Sequence, residues 1–99
     1  MAKYILTNKA VEDLSGIWNY TFDYWSEHQA DIYYEMLIEY CEQIAEKPYI
    51  GKNYESIEKR LFGLKAGSHV ISFRIVNANK VEITRILHEQ MDLKNRILE

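Results

Sequence analysis

Apolar residues at Val11, Leu14, Trp18, Phe22 and Trp25 are spaced by three and four, which aligns them on one face of a helix. Thr7 or Asn8 stands where a helix cap is expected, and Glu12 and Asp13 lie in the first turn, where the helix dipole favours carboxylates. A second stripe runs through Ala30, Tyr34, Leu37, Cys41 and Ile44, with Asp31, Glu35, Glu39, Glu42 and Glu46 opposite. Ser26 and Gln29 form a capping box at its start, and Pro48 ends it by pushing Lys47 out of the helical region. So short a link folds the two helices back as a hairpin. Before them, Tyr4, Ile5 and Leu6 read as a short strand.

Residues 48–56 read as a loop, after which the period changes from 3.6 to 2. Strands are expected over Ile57–Leu64, His69–Val76 and Val81–His88, with turns at Ala66-Gly67-Ser68 and Asn77–Lys80. Asp92 can cap a short terminal helix. The expected fold is α+β: an N-terminal strand, a helical hairpin packed on a small, mostly antiparallel C-terminal sheet, and a short last helix, all in one domain spanning 1–99.

A symmetric last turn sets a register. If Asn77 opposes Lys80, then Val76 faces Val81, Arg74 faces Ile83, Ser72 faces Arg85 and Val70 faces Leu87. One face then carries Ile71, Phe73, Ile75 and Ile86, the better core for the helices. The other carries Val70, Arg74, Val76, Val81, Ile83, Arg85 and Leu87, an apolar patch with two cations that fits a partner polypeptide. A slip of one residue would exchange the two faces.

The chain is 47% hydrophobic and carries a net charge of −3. Residues 1–50 hold three lysines against nine acids, net −6, and residues 51–99 hold nine basic against six acidic residues, net +3. The acidic whole argues against broad docking on nucleic acid, and the basic half is the expected location of the functional surface. Cys41 is the only cysteine, so an internal disulfide is impossible, and its place in the apolar stripe reads as core. The N-terminus reads as lacking a signal peptide, and no run approaches the roughly 18 apolar residues of a membrane span; a cytoplasmic location with no membrane association is expected. His69 and His88 oppose each other, but a zinc site would need a third ligand from Glu89, Glu82 or His28, and structural histidines are the simpler reading. No nucleophile elbow or phosphate-binding glycine loop is present, and no cofactor is expected.

The segment Gly67-Ser68-His69-Val70-Ile71-Ser72-Phe73-Arg74, followed by Arg85-Ile86-Leu87-His88-Glu89-Gln90-Met91-Asp92, resembles the C-terminal signature of ParE toxins. Leu6-Thr7 with Ala10, Asp13-Leu14 and Ile17, then Trp25, Ala30, Tyr33 and Lys47-Pro48-Tyr49-Ile50-Gly51, resembles the earlier segments in order. The resemblance implies a RelE/ParE-like fold and the toxin of a type II toxin–antitoxin pair, often linked to plasmid stabilization. It further implies poisoning of DNA gyrase and neutralisation by a cognate ParD-like antitoxin in a hetero-oligomer. The antitoxin, not the toxin alone, would hold the operator DNA. The same fold hosts RelE-type ribosome-dependent mRNA endoribonucleases, which is the alternative reading. RNA cleavage needs a base, an acid and cations around one phosphate, and no convincing acid–base pair joins Arg74 and Arg85. The candidate antitoxin- or target-binding set is Arg60, Val70, Arg74, Ile83, Arg85, Leu87, His88 and Met91, with no catalytic residue and no metal ligand.

Overall fold

The computed structural model describes residues 2–98. It runs β1 (Lys3–Leu6), α1 (Asn8–Tyr24), α2 (Glu27–Glu46), a 3₁₀ turn (Pro48–Ile50), β2 (Lys52–Asn53), β3 (Phe62–Ala66), β4 (His69–Asn77), β5 (Lys80–His88) and α3 (Leu93–Ile97). The strands form one sheet in the order β1-β5-β4-β3-β2. Its contacts are antiparallel except for β1, which runs parallel to β5. The α+β architecture is the expected one, with β1 inserted as an edge of the sheet. No helix among the described residues is long and apolar enough to cross a membrane.

The helix ends form where the sequence places them. Thr7 Oγ1 accepts the Ala10 amide at 3.1 Å and donates to the Thr84 carbonyl at 2.7 Å, so the cap of α1 also ties it to β5. Ser26 Oγ accepts the Gln29 amide at 3.0 Å, and Asp92 Oδ1 accepts the Asn95 amide at 3.4 Å. A Trp18 Nε1 donation to Asp31 Oδ1 at 3.0 Å links the two long helices.

The stripe on α1 differs from the expected one by a fraction of a turn, and the stripe on α2 is the expected one except at Tyr34. The face of α1 turned inward carries Ala10, Leu14 and Ile17, while Val11, Phe22 and Trp25 are exposed. On α2 the inward residues are Ala30, Leu37, Cys41, Ile44 and Ala45, and Tyr34 is exposed while Tyr33 takes the packed position. The small residues Ala10 and Ala45 let the helices sit close to the sheet, and the larger aromatics ride at the edges.

β3 begins at Phe62, five residues later than expected. Residues 54–60 instead fold into turns, with Ile57 and Glu58 amides donating to the Tyr54 carbonyl and the Leu61 amide to the Glu58 carbonyl. Arg60 holds a left-handed φ of 62° there. At the next turn, Gly67 adopts φ +60° between the paired Ala66 and His69, where a Cβ would lie 2.9 Å from the Tyr33 hydroxyl.

The β4–β5 register begins as expected and then shifts twice. Asn77 pairs with Lys80, Ser72 with Arg85, Val70 with Leu87 and His69 with His88. Between them, Ile75 pairs with Val81, Arg74 with Glu82 and Phe73 with Ile83, so Val76 and Thr84 are the extra residues of two bulges. The bulge at Thr84 exchanges the faces of β5 on its N-terminal side. Val81 and Ile83, expected to point outward, are therefore fully buried against the helices with Ile71, Phe73 and Ile86.

Candidate partner-binding groove

Beyond Leu6, β1 no longer covers β5, and the N-terminal half of α1 runs alongside the uncovered part. Asp13 closes the first step of that edge. Arg85 Nε and Nη2 donate to its two carboxylate oxygens at 2.9 and 3.1 Å, and the Ile86 amide donates to Asp13 Oδ2 at 3.0 Å. Both side chains are mostly shielded, at 13% and 14% exposure. Arg85 Nη1 also donates to the Arg96 carbonyl at 2.7 Å, so one guanidinium joins β5, α1 and α3.

Past this junction the wall of α1 and the end of β5 separate into a groove of about 830 Å³. Glu12, Gly16, Ile17, Tyr20 and Trp25 line one side, and Leu87, His88 and Met91 the other. Tyr33, Ser68 and His69 close its end. Tyr20 is 61% exposed and Trp25 75%. A concave, mainly apolar lining with a few converging polar groups is the usual form of a binding site.

A hydrogen-bonded cluster fixes the closed end. The Tyr33 hydroxyl accepts the Ser68 amide at 3.0 Å and lies 2.6 Å from His69 Nδ1, and His88 Nδ1 accepts the Gln90 amide at 3.1 Å. The two imidazoles meet edge to face at 5.3 Å between centroids. Burial, with His88 alongside, holds the His69 pKa below its ordinary value, while Asp13 and Glu89 pull the other way. Glu89 is itself held below the usual carboxylate range, chiefly by its hydrogen bond from Lys65. No group of three or more histidine, cysteine or carboxylate side chains that could hold a metal occurs among the described residues.

The residues singled out from the sequence divide into three places. Leu87, His88 and Met91 line the groove, while Arg85 lies outside the lining and is bonded to Asp13. Arg74 lies further along the outer face of the sheet, away from α1, where Glu58 and Glu82 both pair with it. Arg60 is exposed in the turn before β3. Ile83 is in the core, which corrects its expected outward place; the bulge at Thr84 is the reason.

Val70 does face outward, yet it is buried. The Tyr54 ring lies over Gly63 on the side of Val70, so closely that a Cβ on Gly63 would come within 2.2 Å of the ring. Leu87 is buried as well, and α3 packs on β5. The expected open apolar sheet face is therefore largely closed by the chain itself. The α1 wall was missed by the sequence reading. Its signal was the row Glu12, Gly16, Tyr20, spaced by four and lying off the core stripe.

Over residues 4–93 the chain matches the model of a family described as the ParE toxin of type II toxin-antitoxin system, parDE. It is 30% identical over 96 residues to Toxin ParE1 of Mycobacterium tuberculosis, covering 97% of this chain and 98% of that protein. It is 35% identical over 94 residues to Toxin ParE1 of Caulobacter vibrioides, covering 95% and 96%. Among solved structures it resembles a chain of the chromosomal ParDE system from P. aeruginosa, with a TM-score of 0.76, 19% identity and coverage of 89% and 96%. It also resembles a chain of the toxin-antitoxin complex RelBE2 from Mycobacterium tuberculosis, with a TM-score of 0.67, 18% identity and coverage of 89% and 98%. At these identities the two structural likenesses establish the fold.

Proposed function

We propose that this chain, which belongs to the ParE toxin family of type II toxin–antitoxin systems, acts by binding proteins: it inhibits DNA gyrase and is neutralised by a ParD-like antitoxin seated in the α1–β5 groove. The antitoxin and gyrase come to this chain by analogy with its family. The groove assignment comes from its own geometry, because the sheet face is covered and the groove is open.

One observation carries the non-enzymatic part. Arg74 and Arg85, the cations an RNA-cleaving site would need, are engaged by Glu58, Glu82 and Asp13. A guanidinium bonded through two nitrogens to one carboxylate is poorly placed to stabilise a second anion. Arg74 and Arg85 also serve different parts of the fold, one on the outer sheet face and one at the junction with α1. The His88 ring nitrogen Nδ1 accepts the Gln90 amide, which orients that ring within its own turn and not toward either arginine. These arrangements support protein recognition over general acid–base chemistry on a phosphate.

The test is a gyrase supercoiling assay with purified toxin, run beside primer extension on ribosome-bound message. Inhibition of supercoiling that the antitoxin relieves, with message intact, is the expected result. Codon-specific cuts without any effect on gyrase would replace this reading with the interferase one.

A further inference from the structure

The ionic character of the groove is one-sided. Glu12 and Asp13 line it, and no lysine or arginine does. Asp13 is neutralised by Arg85. Glu12 is exposed and enters no ion pair among the described residues. One helical turn beyond it, Gly16 presents no side chain, and a Cβ placed there would meet nothing within 4 Å. One turn further, Tyr20 exposes its ring, and Trp25 stands beyond it at the end of α1. The result is a notch with a carboxylate at one end and aromatic faces at the other.

We propose that this notch receives an arginine side chain of the antitoxin segment that docks in the groove, flanked by an apolar residue set against Ile17 and Met91. The assignment rests on the reading that the antitoxin occupies the groove. Its chemistry is local. The guanidinium pairs with the Glu12 carboxylate, its methylene stem crosses the space left by Gly16, and the start of that stem packs toward the Tyr20 ring. Lysine offers the charge without the planar fork that matches a carboxylate through two hydrogen bonds, and binds less well. An acidic side chain would meet Glu12 unpaired and is excluded by repulsion. The −6 net charge of residues 1–50 acts in the same direction at longer range.

The experiment uses purified full-length toxin, isotope-labelled for NMR, and three short synthetic peptides of the pattern Leu-Xaa-Leu with arginine, lysine or glutamate at the centre. The arginine peptide is expected to shift the Gly16 amide and the Trp25 indole signals. Glu12→Gln should weaken that binding by about fivefold, and the glutamate peptide should leave the signals in place. Gly16→Val should abolish binding by filling the notch; Gly16→Ala is the milder companion, because alanine favours the helix. Equal shifts from the arginine and glutamate peptides would overturn the proposal. So would shifts that map away from α1, or unchanged binding by a folded Gly16→Val protein. Concentration-dependent shifts of the same signals without peptide would make a second copy the occupant and overturn it as well. Neither antitoxin nor gyrase enters this experiment. An antitoxin that covers the groove while the arginine peptide fails would remove the arginine assignment and leave the groove reading in place.

Discussion

Asp13 and Arg85, 72 positions apart in the sequence, form a two-pronged ion pair that fastens the first long helix to the uncovered edge of β5. The same carboxylate takes the Ile86 amide. It therefore does for β5 what the next residues of β1 would have done, and it does so with one side chain. The groove exists because the helix is held at this point and diverges beyond it.

Asp13→Asn should therefore destabilise the fold. The shielded arginine would lose the carboxylate that its Nε and Nη2 both engage, a loss of about 3 kcal/mol. The measurement is a urea unfolding curve, where the midpoint should fall with little change in slope. A companion Asp13→Leu, Arg85→Met double variant removes both charges and should be more stable than Asp13→Asn, because the shielded guanidinium goes together with its carboxylate.

Gly63→Ala should also cost stability, by about 1–3 kcal/mol, because the new methyl would press on the Tyr54 ring. Introducing it together with Tyr54→Ala should cost less than the sum of the two single changes, since the clash disappears with the ring. Thermal melts of the three variants check this, and they report whether the outer sheet face is as closed as the geometry indicates.

Cys41 should be inert in the folded protein. Burial pushes its thiol up to about 12, so almost no thiolate is present near neutral pH to react. A thiol reagent at pH 8 should label it only after unfolding. The unfolded thiol ionises near its ordinary value while the folded one stays neutral. This term stabilises the fold fully below about pH 8.5 and is lost as pH rises from there toward the folded value.

His69 acts in the opposite direction. Its folded pKa is lowered, so the unfolded chain binds the proton more readily. Its contribution is intact above the unfolded value near 6.5 and is lost as pH falls through that value toward the lower folded one. Chemical unfolding at pH 7.5 and at pH 5.5 should show the decline. Tyr33→Phe should cost about 1–2 kcal/mol at the higher pH by leaving the Ser68 amide and His69 Nδ1 without their shared hydroxyl.

Local signals were the legible part of the fold. Ser26 with Gln29, Thr7, Asp92 and Pro48 mark helix ends because capping chemistry acts over three or four residues. Gly67 and the Asn77–Lys80 turn mark the hairpins for the same reason. The faces were harder to read. A single extra residue, Thr84, turned Ile83 from the expected partner surface into core, and nothing in the alternation of β5 marks where a bulge falls. On α1 the stripe through Phe22 and Trp25 has the right spacing but the wrong azimuth, because close approach favoured Ala10 and left the bulky rings outside. The strand expected from Ile57 lost to hydrogen bonds within residues 54–61. Of the candidate site, the sequence pointed to Leu87, His88 and Met91 on one wall. The other wall depends on where α1 lies against β5, which is set by the long-range Asp13–Arg85 contact.

Hydrogen–deuterium exchange on the complex with its antitoxin tests the groove most directly. Backbone amides over residues 12–21 and 86–91 should exchange more slowly in the complex than in the free toxin. Protection confined to the turns around Tyr54 and the strand carrying Arg74, with both groove walls exchanging as in the free protein, would contradict the account.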